Sequence, residues 1–288
     1  MNGEEGRLID IGDTSLYVVE RGRGYPLIIL HGSPGLDHHM FGDYLDALTD
    51  DYRLILVDQR ANGRSGRPPE DTWTLEQHAK DVGLLAKAMR LDKYAVLGHS
   101  YGAFIALQHA VDFPGQVTQT IVSSGVPGSR FLMSHIEHEL ANFEPEELRQ
   151  QVTDSLAREQ HVQTPDDVAA LISDQLPFHF ADPFDPRIAE FKQRTAGTVY
   201  SPEVMRKFSA EDYGIEAEDR LGDIPQPVLI LAGRYDRVCS VEAAEFMAAN
   251  VPNAELVVFE KSAHMTFVEE NERYVSTVHA FLDRQYVS

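Results

Sequence analysis

The sequence predicts an α/β protein: a mostly parallel sheet flanked by helices, interrupted by an all-helical insertion. Three observations carry this reading. Wholly or mainly apolar, β-rich runs recur at residues 26–30, 53–57, 94–97, 117–122, 228–232 and 255–259. Continuous Val/Ile/Leu runs of this length suit strands covered on both faces, as in parallel sheets. Helical patterns alternate with these runs, the arrangement of an open α/β sheet. Between about residues 126 and 222 the strand-like runs stop, and Pro145, Pro165, Pro177, Pro183, Pro186 and Pro202 punctuate amphipathic segments instead.

Taken in order, residues 15–20 alternate in polarity and read as an antiparallel edge hairpin. The run 26–30 ends at His31-Gly32, and 53–57 ends at Asp58. Thr74-Leu75-Glu76-Gln77 has the capping-box spacing, followed by Leu75, Ala79, Val82, Leu85, Ala86 and Met89 on one helical face. The run 94–97 ends at Gly98, and a helix over 101–111 follows Ser100 directly. The run 117–122 ends in Ser123-Ser124-Gly125, and a helix over 241–249 separates the last two strands. The chain thus divides into a core of residues 1–125 and 223–288 and a helical cap of 126–222.

Composition narrows the class. The 288 residues are 43% hydrophobic and 25% charged, which excludes collagen-like, coiled-coil and wholly disordered chains. Lys and Arg number 25 against 46 Asp and Glu, a net charge of −21. Such a surface repels phosphate backbones and anionic lipid, so neither nucleic acid nor a membrane is expected as a partner. Cys239, a lone cysteine, cannot form an internal disulfide. The acidic start has no apolar signal region, and the apolar runs are far shorter than the ~20 residues of a membrane span, so a cytoplasmic protein is expected.

The chemistry concentrates at strand ends. Gly98-His99-Ser100-Tyr101-Gly102 fits G-x-S-x-G between a buried strand and a helix, the context in which a strained turn lifts a hydroxyl above a sheet. A serine needs a base, and the base needs an orienting acid. Asp236 follows the run 228–232 and His264 follows 255–259, so all three sit at carboxyl ends of strands, where such sheets bind ligands. His31-Gly32-Ser33-Pro34-Gly35 exits the first apolar strand, where the amides of Ser33 and Tyr101 can hold an oxyanion. Because those donors are main-chain, the Ser33 side chain should matter little. No Walker-type or dinucleotide loop is present, so no cofactor is implied. His135 and His138 are spaced i,i+3, half of a metal site without a second ligand cluster, and His38-His39 is weaker still. Cys239 reads as a small packed hydrophobe.

These residues together resemble the α/β-hydrolase superfamily, and within it the proline iminopeptidase-like serine hydrolases. The resemblance is carried by residues 31–35, by Asp58-Gln59-Arg60-Ala61-Asn62-Gly63-Arg64-Ser65, by the Gly98–Gly102 elbow, and by Gly233-Arg234-Tyr235-Asp236 with His264. The order Ser100, Asp236, His264 is the superfamily's. It implies an acyl-enzyme hydrolase of small-molecule or short-peptide substrates, with residues 58–65 shaping a loop. Three positions depart from the pattern: Ser33 stands where a second glycine is usual, His99 stands in the elbow, and Arg237 follows the acid where some members carry a substrate-binding Glu. An iminopeptidase must hold a free ammonium, and in the family the carboxylates come largely from the cap. Glu137, Glu139 and Glu203 are the leading candidates, with Glu144, Glu146 and Glu147 behind them. Phe131, Leu132, Met133, Phe143, Phe178, Phe180 and Phe184 could wall an acyl pocket. The alternatives are a carboxylesterase or a lactonase of the acyl-homoserine-lactone type, and a slow-turnover ligand sensor. Residues 126–222 carry 19 acidic and 9 basic side chains, against 27 and 16 in the longer remainder, which modestly favours a cationic substrate.

Overall fold

The computed structural model describes residues 6–211 and 213–284. Eight strands form one sheet: β1 (Arg7–Asp10), β2 (Ser15–Gly22), β3 (Tyr25–Leu30), β4 (Tyr52–Asp58), β5 (Ala95–His99), β6 (Gln119–Ser123), β7 (Val228–Gly233) and β8 (Ala254–Phe259). Their order is β1-β2-β4-β3-β5-β6-β7-β8. The pairs β1–β2 and β2–β4 are antiparallel, and every pair from β4 to β8 is parallel. The fold is therefore the α/β arrangement expected, with β1 added at the edge and β6 beginning two residues after the apolar run does.

Side chains of successive strand residues point to opposite faces, and both faces are covered here. Ile28, Leu30, Ile55, Val57 and Val96 pack with Leu75 and Val82 of α1 (Leu75–Ala88) and with Phe104 and Ile105 of α2 (Tyr101–Asp112). Leu27, Ile29, Leu54, Leu56 and Leu97 face the other way, towards Phe267, Tyr274, Val278 and Phe281 near the C-terminus. Full burial of each such aliphatic side chain stabilises the fold by ~1.5–3 kcal/mol. This two-sided burial is why the runs read as unbroken apolar segments.

Among the described residues, five α-helices lie between β6 and β7: α3 (Met133–Ala141), α4 (Glu146–Arg158), α5 (Pro165–His179), α6 (Arg187–Arg194) and α7 (Pro202–Ala210). Their only strand-like pairing among the described residues is an isolated bridge between Gly128 and Glu216. Thr164 and Asp167 form a reciprocal capping box at the start of α5. At α1 only half of the expected box forms. Thr74 accepts from the Gln77 amide, but the Gln77 side chain turns to Asp81, which grips the buried Arg60 guanidinium. Leu36, from the turn after β3, packs with Val162, Val168, Leu171 and Met205 of the insertion. The chain closes with α8 (Val241–Asn250), α9 (Thr266–Glu269) and α10 (Asn271–Asp283). No helix among the described residues is long and apolar enough to cross a membrane.

Candidate active site

β5 delivers Ser100 to a tight turn before α2. Its backbone lies at φ 54°, ψ −120°, a region that L residues seldom occupy, so the site holds local strain. The flanking glycines are steric necessities. A Cβ on Gly98 would stand 1.9 Å from the Gly102 carbonyl oxygen, and one on Gly102 would stand 2.1 Å from that of Leu30. The turn after β3 presses on the same place, since a Cβ on Gly32 would lie 2.9 Å from Ser100 Cβ. Neither the Ser33 amide nor the Tyr101 amide donates a hydrogen bond within the described residues. Ser33 itself sits at φ 47°, in the left-handed region. The Tyr101 side chain is buried and reaches away to His78 Nδ1 at 2.8 Å.

Asp236 and His264 leave the ends of β7 and β8 and meet. The His264 Nδ1 lies 3.0 and 3.1 Å from the two Asp236 oxygens, and both residues are 4% exposed. Asp236 Oδ1 also accepts from the amides of Val238 and Cys239 at 2.8 and 2.9 Å. Burial pushes the Asp236 carboxyl up, but His264 and these two amides outweigh it and hold the group below its ordinary value. The Nδ1 contact leaves His264 Nε2 for other partners. No hydrogen bond joins it to Ser100 Oγ among the described residues, but residues next to Ser100 and after β6 contact His264. The His99 ring, beside Ser100, lies 5.1 Å from the His264 ring, and Ser124 Oγ donates to the His264 carbonyl at 3.0 Å. Hydroxyl–imidazole bonds are often loose before substrate arrives.

Residues 58–65 brace this edge of the sheet. Asp58 accepts from the His38 and Arg64 amides and from the His38 ring. Asn62 Oδ1 accepts from the Gly35 amide at 2.6 Å, and Gln59 Nε2 donates to the His31 carbonyl at 2.7 Å. Asp37, wholly buried, binds the His39 ring, Arg64 Nη1 and the Val199 amide. Asp37, His38 and His39 bring potential ligand atoms together, as do Asp236, Cys239 and His264, but the hydrogen bonds just described already engage most of those atoms. The buried Cys239 thiol is raised well above its ordinary value by burial, which keeps it protonated and inert.

The insertion contributes residues that the sequence did not single out. Glu137 is exposed, Glu139 is half-buried opposite Arg237, and Glu203 pairs with Arg67 at 3.2 Å on the surface, so the three leading carboxylates do not converge. Glu144 pairs with Arg149, while Glu146 and Glu147 are exposed in the first turn of α4. Met133 and Phe184 are exposed, and Phe143 packs edge-on against Phe178. Phe131 and Leu132 join the main core, and Phe180 packs near Phe191. Glu159, just past α4, is a carboxylate that the sequence did not single out. It lines a narrow cleft with Ser33, Pro34, Ile172, Gln175 and Tyr213, and its oxygens accept from Gln175 and Ser209 at 2.7 and 2.9 Å. Burial raises its pKa against the pull of those two donors. His135 is no half of a metal pair: its Nε2 donates to the Asp236 carbonyl at 2.8 Å. Arg237 does not face a substrate either. Its guanidinium donates to the carbonyls of Phe178, Phe180 and Ala181 at 2.7–3.2 Å, capping the end of α5.

Comparison with known proteins bears on the fold and the family. The family model described as the alpha/beta hydrolase fold matches residues 25–271. A proline iminopeptidase of Clostridium botulinum is 30% identical over 288 residues, covering 91% of each chain. Among solved structures, a proline iminopeptidase of Mycobacterium smegmatis superposes with a TM-score of 0.76 at 23% identity, covering 97% of this chain and 98% of its own. Est816, described as an N-acyl homoserine lactone degrading enzyme, gives 0.72 at 23% identity, covering 96% and 100%. Matched over most of its length, the chain belongs to the α/β hydrolase fold family and is a hydrolase.

Proposed function

We propose that the protein is a serine hydrolase that releases N-terminal proline or another small N-terminal residue from short peptides. In this reading His264, oriented by Asp236, takes the proton of Ser100 as its Oγ attacks the scissile carbonyl carbon. The amides of Ser33 and Tyr101 hold the oxyanion, the latter aided by the positive end of α2. As the C–N bond breaks, His264 returns the proton to the leaving amine. Water then attacks the Ser100 ester by the same route, freeing the acid and the serine. Residues 126–222 act as the cap over the site.

The observation that carries the substrate assignment is Glu159. It is a carboxyl group set into the cap, in a cleft whose wall includes Ser33 and Pro34 of the proposed oxyanion turn. A free ammonium placed there is paired, while the acyl carbon lies towards Ser100. Arg237 supports a second reading. The position that some iminopeptidases give to an ammonium-binding Glu is here spent on capping α5, so the amine has fewer partners. An esterase or lactonase of small acyl groups needs none.

A parallel assay of a prolyl anilide, a short-chain nitrophenyl ester and an acyl lactone separates these. Preferred prolyl turnover, abolished in Ser100→Ala and His264→Ala, is the expected result. Ester or lactone turnover alone would replace the substrate assignment. Negligible turnover of all three, with ligand-induced rises in melting temperature, would make the protein a sensor. Near-wild-type hydrolysis by either variant would overturn the mechanism.

A further inference from the structure

The end of α5 is held from both loops that carry the acid and the imidazole. Arg237, next to Asp236, binds the carbonyls of Phe178, Phe180 and Ala181. Glu269 binds the Ala181 amide at 2.9 Å with one oxygen and the amide of Ala263, next to His264, at 2.7 Å with the other. Between these grips lies His179, the last residue of α5, with its ring centroid 5.2 Å from that of His264 at a 41° tilt. His99 approaches His264 from the sheet at 5.1 Å and 53°. The two flanking rings come from different parts of the fold, one from β5 and one from the insertion.

We propose that His179 is a positioning residue for His264, fixing the imidazole in the orientation that its bond to Asp236 requires. The proposal rests on His264 being the general base, as proposed above. Three features support the role. The His179 side chain makes no hydrogen bond among the described residues, so ring contact is what it offers its neighbours. Although a little of His179 remains accessible, protein surrounds its ring, and that desolvation, with His264 and Arg237 nearby, pushes its pKa down to about 3. The groups facing His179 are His264, Asp236 and Arg237. It therefore meets His264 as a neutral ring at working pH and adds no competing charge. Finally, Arg237 and Glu269 make the location of His179 depend on the same two loops whose geometry it supports. A misplacement of ~1 Å at a reacting group can cost ~10²-fold in rate, so a ring that limits the swing of His264 has a measurable kinetic role.

The test compares His179→Ala, His179→Phe and His179→Gln with wild type, using whichever substrate the parallel assay identifies and His264→Ala as control. His179→Ala is expected to lose about 10- to 100-fold in kcat with KM within about twofold. Phe restores the ring but not the nitrogens, so His179→Phe is expected to recover most of the rate. The far-downfield proton resonance of the His264–Asp236 bond should broaden in His179→Ala and persist in His179→Phe. That signal is read without turnover, so it tests positioning even if the assignment of His264 as base fails, which an active His264→Ala would reveal. Unchanged kcat and an unchanged resonance in His179→Ala would overturn the proposal. So would rescue by Gln but not Phe, or a loss confined to KM, since either marks a polar contact with substrate. Should His179→Ala unfold, Arg237→Met, which releases the end of α5, is expected to give the same kcat loss and broadened resonance. A folded Arg237→Met with wild-type kcat and a sharp resonance would overturn it equally.

Discussion

The sheet and the helical insertion supply the same site by different means. Ser100, Asp236 and His264 stand at the ends of β5, β7 and β8, strands whose side chains are wholly buried or nearly so in the first two. Their turns are set by sterics, as at Gly98 and Gly102, and by amides that converge on Asp236 and Asp58. The insertion meets the site through a few polar contacts: His135 to the Asp236 carbonyl, Arg237 to the end of α5, Val199 to Asp37 and Ser201 to the Gly35 carbonyl. In the proposed mechanism the reacting groups are built on the sheet, the rigid part, while the substrate-facing part, the adaptable one, joins it through polar bonds and through the apolar packing of Leu36, Phe131 and Leu132. The difference matches the need to hold reacting groups within a narrow tolerance and to vary what they act on.

Acid should separate the two regions most strongly. Five histidines, the buried His31, His78, His99 and His109 and the half-buried His179, have pKa values lowered chiefly by desolvation, to about 3 for His78 and His179 and about 4 for His109. The unfolded chain protonates these groups below their ordinary value of 6.5, whereas the folded chain resists until much lower pH. Stability from each is therefore intact above 6.5 and falls as pH drops through that window, by up to ~1.4 kcal/mol per pH unit per group. Glu269, raised to about 7 mainly by burial, has the opposite sign and gains stability as pH falls from 7 towards 4.5, as do Asp81 and Glu159 to a lesser degree. Four of the five histidines belong to the sheet and its helices. Hydrogen exchange followed from pH 7 to 4.5 is expected to show protection falling first in β5, α1 and α2. Equal or earlier loss in α4 and α5 would break the contrast drawn above.

The contrast also explains what could be read in advance. Ser100, Asp236 and His264, the residues of the proposed mechanism, could be singled out because each follows an apolar run, and a strand end is a place that sequence marks. The two-sided burial of β3 to β7 left the same kind of trace, as did the proline-punctuated insertion. Glu159 left none. Its burial depends on Ser209, fifty positions on, and on Gln175, and in sequence it looks like any other acidic residue of an amphipathic helix. Arg237 shows the converse error. Standing where some members carry a substrate-binding Glu, it reads in sequence as a group facing substrate, but the guanidinium is directed at α5 carbonyls, and direction is a property of packing. His179 and Glu269 were missed for the same reason, since their roles exist only once α5 and α9 meet.

A next effect, of about tenfold, concerns the insertion alone. Glu159→Gln keeps the shape of the cleft and removes the charge, so KM for a prolyl anilide should rise about tenfold, which is ~1.4 kcal/mol. Turnover of a nitrophenyl acetate, which has no amine, should be unchanged in the same variant. Loss of both activities would mean that Glu159 supports the oxyanion turn rather than the substrate, and would move it from the adaptable region to the rigid one.

The smallest effect tests the rigid region at one of its left-handed positions. Ser33 holds φ 47°, where glycine carries no Cβ penalty and other residues lose ~1–2 kcal/mol. Ser33→Gly relieves that strain in the folded state but widens the conformational freedom of the unfolded chain, an opposing term of ~0.4–1 kcal/mol. Melting temperature should therefore rise only slightly. Since the proposed donor to the oxyanion is the amide, which glycine retains, kcat should stay within about twofold. A fall well beyond that would show that the Ser33 hydroxyl, which borders the cleft with Glu159, acts on the substrate. The turn after β3 would then share the adaptable role assigned to the insertion, and the boundary between the two regions would run through Ser33 rather than at the end of β6.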